Sequence, residues 1–118
     1  MKSKLLSNIT PGEILNEEFL RPLGITKYRL AKETGITPIS ITKIVKGEKA
    51  ITPEIALKIG KFFDTSAEFW LNIQNSYDLR KARKNIDSKL KKIPKYSDME
   101  YLTYNRNLTE SKNTYNSV

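Results

Sequence analysis

The sequence predicts an all-α fold: five short helices over residues 9–83, followed by a basic extension over 84–118. Three observations carry that prediction. Apolar side chains recur at spacings of three and four, and no convincing run alternates with period two. Thr or Ser followed by Pro or Glu opens one segment after another, the signature of helix N-termini. Gly closes several of the same segments, where a helix ends in a left-handed turn.

The first helix opens at Thr10-Pro11-Gly12-Glu13. Thr10 caps, Pro11 suits the first turn, and Glu13 stands where a capping box needs it. Ile9 and Ile14 are spaced for a hydrophobic staple. Ile14, Leu15, Glu18 and Phe19 continue the period, and Pro22 is expected to end it. The second helix follows Thr26, with Tyr28, Leu30 and Ala31 as inward candidates, and stops at Gly35. Thr37 caps the third, Pro38 enters its first turn, Ile41, Ile44 and Val45 supply its inner side, and Gly47 closes it. The fourth runs from Thr52-Pro53-Glu54 through Ile55, Leu57, Ile59, Phe62 and Phe63. Gly60 inside it is unfavourable by roughly 1 kcal/mol relative to Ala, so a close helix–helix approach is expected there. The fifth opens on a second capping box, Thr65-Ser66-Ala67-Glu68, and carries Phe69, Trp70, Ile73 and Tyr77 on one broad face. Past Arg83, Leu79, Ile86, Leu90 and Ile93 can line one side of a continuing helix until Pro94. Tyr96 to Val118 lacks a clear period and is expected to be ordered only against another surface.

Composition narrows the chemistry. The 118 residues are 38% hydrophobic, enough for one compact core. There is no Cys and no His, so disulfides, thiolate nucleophiles, imidazole bases and the usual zinc ligands are absent. The acidic residues show no metal-spaced cluster. Neither metal, cofactor nor catalytic residue is expected, and an enzyme such as a nuclease is the least favoured class. No segment has the length of a membrane span or secretory core, and a cytoplasmic protein is expected. The formal charge is +8, which favours a polyanionic partner. Its distribution is uneven. Residues 1–79 hold 11 basic and 9 acidic side chains, residues 80–95 hold 8 and 1, and residues 96–118 hold 2 and 3.

Residues 26–46 meet the steric terms of a helix-turn-helix. Ala31 is the small residue where two steeply crossed helices touch. Gly35 supplies the positive φ of the turn, Ile36 plugs it, and Ile41 and Ile44 face inward from the second helix. An ordinary helical hairpin with a glycine turn is the plain alternative. If the helix after Thr37 enters a major groove, Pro38, Ile39, Ser40 and Lys43 face base edges. Ser40 can donate or accept, Lys43 can reach guanine acceptors, and Ile39 can pack on a thymine methyl. Thr26, Lys27, Thr37, Thr42, Lys46 and Lys49 are placed for phosphates, although each lysine can equally be a solvated surface charge. The helix carries no Arg, Gln or Asn, so direct readout is modest and DNA shape contributes. One such head reads a half-site, so a homodimer with heads about 34 Å apart is expected. Phe69, Trp70, Ile73 and Tyr77 are its interface candidates, with a core role for Trp70 as the simpler alternative.

Residues 30–47 resemble the helix-turn-helix of the phage-repressor (Cro/C1, or XRE) class, which implies a lambda-repressor-like fold. The flanks are similar to the HigA antitoxin family: Pro11-Gly12-Glu13-Ile14-Leu15, Glu18-Phe19-Leu20, Pro22-Leu23-Gly24, Ile51-Thr52-Pro53-Glu54-Ile55-Ala56-Leu57, and Thr65 to Gln74 with Tyr77-Asp78-Leu79. The resemblance covers about residues 9–83. It implies an antitoxin of a type II toxin–antitoxin module, which binds double-stranded operator DNA as a dimer and represses its own operon. It also implies neutralisation of a HigB-like toxin, a RelE-like nuclease that cleaves mRNA. A stand-alone XRE-type repressor is the alternative. For residues 84–118, three readings stay open: a helix that docks on a toxin or second subunit, an arm on phosphates, or a solvated tail.

Overall fold

The computed structural model describes residues 9–99, and among them the regular structure is all helix, with no strand. The first helix, α1, spans residues 11–23 in three parts. It begins with the predicted capping box: the Thr10 hydroxyl accepts from the Glu13 N–H at 3.1 Å, and the Glu13 carboxylate accepts from the Thr10 N–H at 2.9 Å. After the α-helical turn Pro11–Ile14, the backbone widens into a π-helical segment, Leu15–Leu20, and tightens again over Arg21–Leu23. Pro22 therefore does not end the helix. A π turn bonds each amide five residues back, and the Arg21 N–H reaches the Asn16 carbonyl. The wider turn leaves room for the ring of Pro22 and for its missing donor. It also brings Leu15 and Leu20 onto one face, where both are buried. The helix ends instead at Gly24.

Helices α2 (Lys27–Thr34) and α3 (Pro38–Val45) follow as predicted. Gly35, at φ 80°, turns the chain between them, and the Thr34 hydroxyl accepts from the Ile36 N–H at 3.2 Å. Leu30 and Ala31 of α2 and Ile41 and Ile44 of α3 enter the core. Tyr28 does not; it is 69% exposed. Two residues along a helix is just over half a turn, so Tyr28 and Leu30 cannot share a face. Val45 is only half-buried.

Helix α4 (Pro53–Phe63) is capped by Thr52. It ends on Asp64, the one non-glycine residue at positive φ among those described. Ile55, Ala56 and Ile59 are buried, whereas Leu57 lies 64% exposed on the far side. Gly60 does mark a close approach, but to the start of the next element: a Cβ there would lie 2.8 Å from the Thr65 carbonyl oxygen.

The fifth helix, α5 (Ala67–Lys91), is capped by Ser66, whose hydroxyl accepts from the Phe69 N–H at 3.0 Å. The predicted capping box on Thr65 and Glu68 is not formed. Thr65 is used elsewhere, its hydroxyl accepting from Trp70 Nε1 at 2.8 Å. Trp70 is fully buried, and Phe19 packs against both it and Phe63, with ring centres 4.8 and 5.1 Å away and planes inclined at 53° and 55°. Aromatic packing of this kind adds about 0.5–1.5 kcal/mol per pair beyond the area buried. Gln74 is the single buried polar residue among those described. Its carbonyl accepts from the Ile51 N–H at 2.8 Å, and its amide donates to Asp78 at 3.0 Å, so its polar groups are matched.

The chain divides into two units after Lys84, whose described residues are 9–84 and 85–99. The first holds the core described above. In the second, Ile86 leaves the helical region (φ −121°, ψ 17°), the helix resumes to Lys91, and one 3-10 turn follows at Tyr96–Met99. Every described side chain of that unit is exposed, including Ile86, Leu90 and Ile93. The expectation for the polar tail falls, from residue 100 on, outside the described residues. Among the described residues, no helix is long and apolar enough to cross a membrane.

Candidate nucleic-acid interface

The candidate interface is built by α2 and α3, which pack directly on one another. The core fixes which side of α3 faces outward. With Ile41 and Ile44 enclosed, the opposite arc carries Pro38, Ile39, Lys43 and Lys46, all exposed, Ile39 at 67%. An exposed isoleucine there costs apolar hydration unless another surface covers it. Ser40 and Thr42 are half-buried at the margins of that arc.

Both helices present their N-termini in the same way. The Thr26 hydroxyl accepts from the Arg29 N–H at 3.0 Å, and the Thr37 hydroxyl accepts from the Ser40 N–H at 3.1 Å. Each hydroxyl keeps its own proton to donate. First-turn amides lack intrahelical acceptors, and the helix dipole adds positive potential, so such an end suits an anion. Thr26 and Lys27 are exposed at the start of α2, and Thr37 is exposed at the start of α3. Lys49 is exposed in the connection that follows α3.

Sequence reasoning missed two neighbours of this set. Tyr28 and Arg29, in the first turn of α2, are both exposed beside Lys27. The signal was available in the spacing of Tyr28 to Leu30, which puts the phenol opposite the buried leucine.

The candidate contact surface on α5 separates into parts. Trp70 is enclosed within the chain itself and serves the core. Phe69, edge-on to Trp70 at 5.1 Å, is 39% exposed, and Ile73 and Tyr77 are half-buried. Lys81 Nζ lies 5.3 Å from the centre of the Tyr77 ring. No group of three or more acidic, His or Cys residues among those described is placed to hold a metal.

Two capped helices, a glycine turn and an outward arc on the second helix define a helix-turn-helix protein. Residues 17–70 match the helix-turn-helix family model. Among curated relatives, virulence-associated protein I of Dichelobacter nodosus is 41% identical over 80 residues, covering 68% of this chain and 74% of that one. Among solved structures, an addiction module antidote protein of a HigA family from Coxiella burnetii is 40% identical. The match covers 75% of this chain and 97% of that one, with a TM-score of 0.70. The Pseudomonas aeruginosa antitoxin HigA, solved with the higBA promoter, is 34% identical. It covers 73% of this chain and 95% of that one, also at 0.70. The chain belongs to the HigA antitoxin family of XRE-type helix-turn-helix proteins.

Proposed function

We propose that this chain is the DNA-binding antitoxin of a type II toxin–antitoxin module. In this reading, residues 9–83 bind operator DNA as half of a homodimer and repress the operon that encodes them. The same protein neutralises a HigB-type, RelE-like toxin that cleaves mRNA. The observation that carries the DNA-binding part is the outward arc of α3, where Pro38, Ile39 and Lys43 stand exposed while Ile41 and Ile44 anchor the helix from behind. The placement of Ser40 and Lys43 suits base edges, and that of Thr26, Lys27, Thr37, Thr42, Lys46 and Lys49 suits flanking phosphates. Phe69, with the half-buried Ile73 and Tyr77 beside it, offers a dimer contact. Kinship with HigA antitoxins supports the toxin-binding part.

The test is a gel shift of the full chain on the DNA upstream of its own gene, with and without the product of the neighbouring gene. A specific shift is expected, together with a complex on co-expression and relief of growth arrest. Lys43→Ala is expected to weaken operator binding roughly 5- to 150-fold, the range for one base contact. A specific shift without any complex would leave a stand-alone repressor. No specific shift at all would overturn the DNA-binding reading.

A further inference from the structure

We propose that residues 80–95 form a second, sequence-independent contact with duplex DNA, through its phosphates. This rests on the operator-binding reading above and assigns a further source of its affinity.

The charge distribution is the first argument. Residues 1–79 contain the whole helix-turn-helix and carry 11 basic against 9 acidic side chains. A net +2 spread over that surface supplies little general attraction to a polyanion. The arc of α3 carries no Arg, Gln or Asn for bidentate base contacts. Specific DNA binding normally draws a large share of its free energy from phosphates. In this chain that share has one concentrated source: 8 basic and 1 acidic side chains within the 16 residues 80–95.

The second argument is that five of these eight cations are not used inside the protein. Lys91 is paired with Asp87 at 3.4 Å, Lys81 sits over Tyr77, and Arg80 is half-buried. Arg83, Lys84, Lys89, Lys92 and Lys95 are exposed and form no ion pair among the described residues. Five uncompensated charges within 13 residues repel one another, at a cost that an adjacent row of phosphates would remove.

Chemistry then selects among polyanions and other partners. A second copy of the same segment would bring +7 against +7, so this surface disfavours self-association. The apolar row Leu79, Ile86, Leu90 and Ile93 suits a lipid surface in principle, but residues 80–95 hold no Trp or Phe to anchor at a headgroup boundary. Duplex DNA is the polyanion that the tethered head already holds. Tethering raises the local concentration of phosphate around the segment without any new specific contact.

The experiment measures duplex affinity of the full chain by fluorescence anisotropy between 50 and 200 mM KCl, on its own upstream DNA and on a scrambled duplex. The variant replaces Arg83, Lys84, Lys89, Lys92 and Lys95 by Gln, which keeps helix propensity. Each lost phosphate contact lowers the slope of log affinity against log salt by about 0.9, equivalent to about 3.5-fold over that salt range. The slope is expected to fall by about 2 or more on both duplexes, with the ratio of upstream to scrambled affinity preserved. A fall smaller than that overturns the proposal. So does tighter binding of the parent chain to an RNA hairpin or to phosphatidylserine vesicles than to the scrambled duplex. A double variant, Lys92→Gln with Lys95→Gln, lies beyond the helix end at Lys91 and tests the same charge without touching helical structure; it is expected to lower the slope by about 1.8. The companion variant Ser40→Ala with Lys43→Ala separates the two readings. If it leaves the preference for upstream DNA intact, the reading helix is misassigned, while the slope on scrambled DNA still judges the arm.

Discussion

Replacing Gly12 by Ala should damage this protein far more than a single methyl on a helix suggests. Gly12 is buried in the first turn of α1, against the last turn of α3. A Cβ at that position would lie 1.7 Å from the Ile44 carbonyl oxygen, 2.6 Å from its carbonyl carbon and 2.9 Å from the Val45 Cα. All three are backbone atoms, so no rotamer change can relieve the overlap. Restoring ordinary contact requires α1 and α3 to separate by roughly 1.5–2 Å. The same Ile44 carbonyl accepts from the Gly47 N–H at 3.0 Å, so the displacement strikes the bond that closes α3. Overpacking of this kind costs about 1–3 kcal/mol or more, offset by at most ~1 kcal/mol of helix propensity. Because only backbone atoms are struck, the upper end of that range applies, and a net loss of about 2 kcal/mol lowers the melting temperature of a domain this size by roughly 8–16 °C. Thermal melts followed by circular dichroism at 222 nm measure it, and operator affinity should fall in parallel because α3 is displaced. A melting temperature within about 2 °C of the parent, with unchanged affinity, would refute the close approach of the two helices.

Two further outcomes follow from the core. Gln74→Leu removes the acceptor of the Ile51 N–H and should cost about 1–3 kcal/mol in urea denaturation, at an unchanged m-value; a loss below ~0.5 kcal/mol would mean that water replaces the bond. Asp64→Gly should raise stability by up to about 1 kcal/mol, because Asp64 holds φ 59° with a Cβ that glycine lacks. A loss of stability there would show that the aspartate side chain makes a compensating local contact.

Most of the fold is legible because its punctuation is chemical and local. Thr10, Thr26, Thr37 and Thr52 each accept a first-turn amide where the pattern places them, and Gly35 and Gly47 take the left-handed positions. The misreadings arise where one residue has two possible uses. Thr65 and Ser66 both qualify as caps, and only the packed position of Trp70 Nε1 decides that Thr65 is spent on the indole. Pro22 is a breaker in an α-helix but not beside a π turn, and whether the turn widens depends on the core seating Leu15 and Leu20 together. Gln74 stands in a polar stretch, and its burial follows from the tertiary position of the Ile51 amide, which has no sequence signature. Of the candidate interface, the outward arc of α3 was readable because its period is regular. Tyr28 departs from the inward expectation because, two residues before buried Leu30, it stands on the opposite side of the helix.

The bond between Gln74 and Ile51 has a dynamic consequence. Ile51 lies in the connection behind α3, where a backbone amide would ordinarily exchange its proton with solvent quickly. Its acceptor is a side chain 23 residues away on α5, so the proton is released only when α5 lifts or Gln74 turns out. Hydrogen exchange at this single amide is thus a gauge of how firmly α5 is seated. A partner that steadies the outer side of α5 would slow exchange at Ile51 without touching it, and with it quieten the segment that supports α3.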